Sequence, residues 1–208
     1  MKSRIEHLYS LHLLFLAKSN FKTVVDVGVK SFKYLENYLN VFDTVIGIEA
    51  NKQMYLEIKK QLPVENVKLI NKCLSNKKDK TTFFSCNSDP GYSTISETRY
   101  NTILQEGIFT ETDFTKETVD TCKLDDLDLL KNLKIDLIKI DAESEDINIF
   151  FGSIQTIINN RPVLQIEHVY YEPEADNFFK KLEEIEYIEM KPYFKSRNYF
   201  FIPKENLK

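Results

Sequence analysis

Residues 22–28 read KTVVDVG, an apolar, β-branched run closed by Asp26 and Gly28. A strand that ends in an acid, one further residue and a glycine lets the backbone approach a bound nucleotide at the carboxyl edge of a sheet. Alone, such a turn marks only a tight strand-to-helix connection. Its neighbours decide. Downstream, Phe32, Leu35, Tyr38 and Leu39 share one helical face, and DTVIGIEA at 43–50 is a second strand. That strand's unbroken apolar character predicts burial on both sides. Asn51 can cap a further helix, with Met54, Tyr55, Ile58 and Leu62 as its core stripe, and ENVKLINKCLS at 65–75 reads as a third strand. Strand, helix, strand, helix, strand is the rhythm of a parallel sheet with right-handed crossovers.

Further along, KTTFFSC at 80–86 alternates like a strand, and ETVDTCKLDDL at 117–127 reads as another strand running into a turn. Residues 87–116 between them are polar, contain Pro90 and Gly91, and lack a sustained apolar period, which predicts a loop or lid. The α/β pattern resumes with KIDLIKIDAE at 134–143. Ile147, Phe150, Phe151, Ile154, Ile157 and Ile158 then form one helical face, with Glu145 and Asp146 at the start, where the helix dipole favours negative charge. RPVLQIEH at 161–168 is the next strand, and Ala175, Phe178, Phe179 and Leu182 stripe the helix after it. EYIEMKPYF and NYFFIP predict a closing antiparallel pair.

The 208 residues suit one domain, 1–208, large enough for a core without disulfides. With 42% hydrophobic and 29% charged residues the chain is an ordinary globular one, and its net charge of −4 is interspersed, which argues against a nucleic-acid partner. Cys73, Cys86 and Cys122 are odd in number and form no CxxC pair, so they read as apolar fillers in a reducing cytoplasm. The run LHLLFLA near the N-terminus is too short to span a bilayer. Ile5, Leu8, Leu11 and Phe15 recur at helical spacing, so residues 1–20 read as an amphipathic helix rather than an export signal, with His7 and His12 as surface or packing residues.

Four acids and a histidine at strand ends are the candidates for the chemistry. Glu49 ends the second strand about twenty residues after the glycine turn, where a carboxylate can accept both hydroxyls of a ribose. Asp141 and Glu143 sit at the carboxyl end of the 134–143 strand and would share a side if the strand continued that far. Two carboxylates there raise one another's pKa or hold a divalent cation, and either suits removing a proton from a hydroxyl. Glu167 and His168 end the adjacent strand and reach the same rim. The residues after Gly28 are Val29, Lys30, Ser31 and Phe32, so the GxGxxG fingerprint of dinucleotide enzymes is absent.

The order VVDVG, VIGIEAN, NVKLINKCLSN, GYSTI, TVDTCKLDDL, IDLIKIDAESED and RPVLQIEH resembles the FkbM family of methyltransferases over residues 22–168. The resemblance implies a Rossmann-like class I fold, a mostly parallel seven-stranded sheet with helices on both faces and a C-terminal antiparallel pair. It also implies an S-adenosylmethionine-dependent O-methyltransferase acting on a small acceptor such as a sugar of a glycan, glycolipid or natural product. The implied cofactor pocket lies around Asp26, Gly28, Glu49, Ala50, Cys73, Leu74 and Asp141. Candidate catalytic groups are Asp141, Glu143, Glu167 and His168, and Asp141, Glu143 and Glu167 are candidate ligands of a cation such as magnesium. Acceptor choice is expected of the 87–116 insert, and the oligomeric state is open. Two stretches depart from the family's pattern. Lys30 and Phe32 occupy a turn that often carries a second glycine, and Ser144 and Glu145 stand where Gly and His are common. A scaffold that kept the fold without the activity is the alternative, and a pocket filled by Lys30 or Phe32 would mark it.

Overall fold

The computed structural model describes residues 9–10, 12–13, 21–62, 66–167, 169, 174–192 and 194–207. Seven strands form the main sheet, six running one way and β10 the other: β1 (Thr23–Val27), β2 (Thr44–Glu49), β3 (Val67–Asn71), β7 (Ile135–Ile140), β8 (Val163–Glu167), β9 (Tyr187–Glu189) and β10 (Asn198–Pro203). Their order is β3-β2-β1-β7-β8-β10-β9, with β10 antiparallel to both neighbours. Chain order reverses between β1 and β7, and ligands of open α/β sheets bind at the carboxyl ends of strands beside such a switch.

Strand alternation divides the core between the two faces of the sheet. Val24, Val45, Leu137 and Val163 pack with Leu35 and Tyr38 of α1 (Phe32–Leu39) and with Met54 and Ile58 of α2 (Lys52–Gln61). Tyr9 and Leu13 join this core from the N-terminal helical residues, while His12 is exposed; Ile5, His7, Leu8, Leu11 and Phe15 lie outside the described residues. On the other face Val25, Ile46, Ile138 and Leu164 pack with Phe150 of α4 (Asp146–Phe151), Ile157 of α5 (Ile154–Asn160) and Phe178 of α6 (Ala175–Glu184). Complete burial of these apolar groups supplies the main drive for folding, roughly 1.5–3 kcal/mol for each large side chain.

Three expectations need correction. The 65–75 strand divides at Lys72 into β3 and β4 (Cys73–Leu74), and β4 belongs to a second sheet, β4-β6-β5. There β5 (Lys80–Cys86) pairs antiparallel with β6 (Phe114–Cys122), which begins three residues before the expected start at 117. The 87–116 segment is no plain loop either, since it contains α3 (Glu97–Gln105), whose N-cap Ser96 accepts from the Arg99 amide. Tyr100 and Ile103 bury one side of α3 against Phe84, Cys86 and Phe114, an apolar face too short to show as a period. Finally, the single helix expected over 147–158 is two. It ends at Phe151, where the Ser153 hydroxyl donates back to the Ile149 carbonyl at 2.6 Å, and Ile158 is exposed.

Candidate active site

The site stands on the carboxyl ends of β1, β2 and β7. Gly28 turns with φ +82, and its N–H donates to the Ile48 carbonyl at 2.9 Å. A Cβ built on Gly28 would lie 1.8 Å from the Asp141 carbonyl oxygen, so no other residue lets β1 and β7 close together here. This cradle opens into a cavity of about 250 Å³ lined by Gly28, Glu49, Ala50, Cys73, Leu74 and Asp141, among others. Six of the seven residues expected around a cofactor therefore converge. Asp26, the seventh, points into a smaller cavity of about 90 Å³ that shares Gly28, Lys30 and Asp141 with the first.

Glu49 is buried at the end of β2. Its Oε1 accepts from the Asn51 amide at 2.7 Å, and Asn51 is itself the cap of α2, accepting from the Met54 amide at 3.0 Å. Burial outweighs the backbone amides of Asn51 and Val29 that favour the charged form, and pushes the Glu49 carboxyl up to about 8. Cys73 is buried nearby, and burial holds its thiol up at about 12, as suits a filler rather than a nucleophile. The Asn51 side-chain nitrogen, Nδ2, donates to the hydroxyls of Ser85, at 2.9 Å, and Ser93, at 3.3 Å, tying the second sheet and the segment after it to the cavity wall.

Lys139 gives Asp26 its partner. It is the lone cation in an apolar strand, and its ammonium lies 3.0 Å from Asp26 and 3.3 Å from Asp141. Burial alone would favour the neutral amine, yet the carboxylates of Asp141 and Asp26 together keep it protonated.

Asp141 and Glu143 do not share a side, because β7 ends at Ile140 and the chain then turns. Glu143 and Ser144 both take left-handed backbone angles, with φ of 47 and 72. This conformation suits glycine, which explains why a glycine at position 144 would be at home there. Asp141 is thereby left with Lys139, while Glu143 is swung to Arg99 of α3, 3.3 Å away. The Thr94 hydroxyl donates to the Glu143 carbonyl at 2.8 Å and anchors the turn. Burial raises the Glu143 carboxyl to about 7 against the pull of Arg99, with Asp141 and Glu167 adding to the rise.

The expected cation has no ligand set, since no group of three or more His, Cys, Asp or Glu side chains among the described residues could hold a metal ion. His168 lies outside the described residues. Glu167 does reach the rim. With Glu143 and Glu145 it lines both the cofactor-sized cavity and an outer cleft of about 690 Å³. That cleft is walled by Tyr92, Arg99 and Thr102 of the insert and by Arg197. Phe32, the first residue of α1, packs against the core and Lys30 lines one wall, so neither fills the cavity. Arg99 and Thr94 escape sequence reasoning, because only folding brings the insert to the rim, and Asn51 was expected only as a helix cap. Lys139 did leave a signal, as a lysine alternating with apolar residues on a buried strand.

Residues 26–201 match the family model described as the methyltransferase FkbM domain. A crystal structure of methyltransferase FkbM from Methylobacillus flagellatus KT shares the fold with a TM-score of 0.59 and 13% identity, over 88% of this chain and 43% of that one. The chain thus spans less than half the length of that relative. An rRNA methylase from Streptococcus thermophilus aligns with a TM-score of 0.47 at 11% identity, covering 94% of this chain and 92% of its own. No curated protein sequence matches.

Proposed function

The chain belongs to the FkbM family of S-adenosylmethionine-dependent methyltransferases, and we propose that it methylates a hydroxyl oxygen of a small acceptor, a sugar in a glycan, glycolipid or natural product. The observation that carries this reading is Glu143, a carboxylate near neutral pKa on the wall common to the cofactor-sized cavity and the outer cleft. A general base must reach the acceptor's hydroxyl while that oxygen lies in line with the donor's methyl, and its best pKa lies near the working pH.

When bound, the cofactor supplies a methyl group on a sulfonium, ready for in-line displacement. The chain's own groups do the rest. Glu49 accepts from the ribose hydroxyls, Ala50, Cys73 and Leu74 line the adenine end, and Gly28 lets the backbone approach. Glu143 takes the acceptor's proton as the new oxygen–carbon bond forms, and Arg99 holds the carboxylate in place. Alignment of two reactants in a walled site is itself worth several kcal/mol of barrier. Free thiols at Cys73, Cys86 and Cys122 fit a reducing cytoplasm, and the open cavity favours an enzyme over a scaffold.

Glu143→Gln keeps the shape and removes the base. The turnover number with a sugar acceptor should fall by about 10²–10⁴-fold, while calorimetric affinity for S-adenosylhomocysteine stays within about threefold. The wild-type turnover number should rise with pH through about 7, where Glu143 loses its proton. Unchanged turnover in the variant removes Glu143 from the chemistry, and methylation of RNA but of no sugar overturns the acceptor class.

A further inference from the structure

Resting on the cofactor reading above, the arrangement of charge around the two inner cavities assigns one more contact. With the ribose at Glu49 on β2 and the adenine toward Cys73 and Leu74, the cofactor's amino-acid end points to β1 and β7. There the two cavities meet at Gly28, Lys30 and Asp141. That end of the cofactor carries a carboxylate, which needs a cation or exposed backbone N–H groups. The turn after Gly28, VKSF at 29–32, contains no further glycine to lay its backbone bare. Three lysines are at hand among the described lining residues. Lys139 is committed to Asp26 and Asp141. Lys72 sits between β3 and β4, at the adenine end. Lys30 remains.

The Lys30 side chain rises from the floor of the site to its roof at residues 89–91. Its ammonium is 3.7 Å from Asp89, and it lies so close to Gly91 that a Cβ there would be 2.5 Å from Nζ. Both members of the Lys30–Asp89 pair are substantially exposed, at 57% and 40%. Such an exposed pair contributes little to stability. The Asp89 oxygen is also occupied by the Gly91 amide at 3.0 Å, so the lysine leaves it at little cost.

We propose that Lys30 binds the carboxylate of the cofactor's amino-acid end, exchanging its loose contact with Asp89 for that ligand. Lys30 is thus a positioning and selectivity residue that holds the tail of the cofactor and lets the enzyme distinguish it from truncated nucleosides. Being solvent-exposed, it can be replaced without cost to the core.

The test is calorimetric titration of the full chain with S-adenosylhomocysteine and with methylthioadenosine, which keeps the nucleoside and thioether but has no amino-acid end. Lys30→Met should weaken S-adenosylhomocysteine at least about tenfold and leave methylthioadenosine within about twofold. Lys30→Arg should restore the first affinity, and Asp89→Asn should leave it equal or tighter. Equal weakening of both ligands, or of neither, overturns the proposal. So does a wild-type protein that binds the two equally, although the cofactor reading then stands. A wild-type protein that binds neither overturns both.

Discussion

Glu49, buried, and Glu143, half-buried, are two carboxylates on one rim, both pushed up by burial, and they are held in opposite ways. Glu49 sits at the end of a central strand and accepts from the backbone at the start of α2. Its place follows from the sheet itself. Glu143 lies beyond the end of β7 on a left-handed turn, and what holds it comes from elsewhere: Thr94 and Arg99 of the insert, 49 and 44 residues away in sequence. On the function proposed above, the first arrangement suits a ligand that never changes, the cofactor, and the second would let the acceptor side be rebuilt by altering the insert while the sheet stays as it is.

The largest test of the backbone-held half is Gly28→Ala. Its Cβ would collide with the Asp141 carbonyl and the φ of +82 would be strained. The fold should lose about 3 kcal/mol or more in a urea melt, and S-adenosylhomocysteine affinity should drop at least about 100-fold. Near wild-type affinity would mean that the β1–β7 closure is not what shapes the pocket.

Next in size is Glu49→Gln. Ribose hydroxyls and a positively charged sulfonium favour the ionised carboxylate, so wild-type affinity for S-adenosylmethionine should climb from pH 6 and level off above about 8. The variant should bind about tenfold more weakly at pH 8, near 1.4 kcal/mol, with a flat profile. Stability should move the other way. The folded carboxyl sits at about 8 against an ordinary 4.5, so the folded state holds its proton more tightly. Its contribution is intact below about 4.5 and is lost as the pH rises through about 8. The ligand-free variant should accordingly melt higher at pH 8, by on the order of 1–2 kcal/mol. A variant that is both weaker-binding and less stable would show that Glu49 holds the fold rather than the ligand.

The smallest effect belongs to the other half. Ser144→Gly relieves a left-handed residue with φ of 72 at the cost of a freer unfolded chain. A net gain of about 0.5 kcal/mol in a denaturant melt is expected. A loss would show that the serine side chain secures the turn.

The sequence alone was enough to determine the sheet and its cofactor edge. Apolar strands of period two, stripes of period 3.6 and one obligatory glycine are local signals, and β1, β2, α1, α2, β7 and β8 lie within a few residues of where they were expected. Glu49 and Gly28 could be placed from the same signals, because each is one step from a strand end. Only the tertiary structure decided the acceptor side. Helix α3 buries too few apolar residues to declare a period. The partition of Asp141 to Lys139 and Glu143 to Arg99 depends on two backbone angles that no side-chain pattern encodes. The division of β3 from β4 likewise depends on a pairing with β6, some fifty residues away. Local sequence dictates where a strand runs and which face it buries, whereas the geometry of a charge pair depends on which distant segments the finished fold brings together.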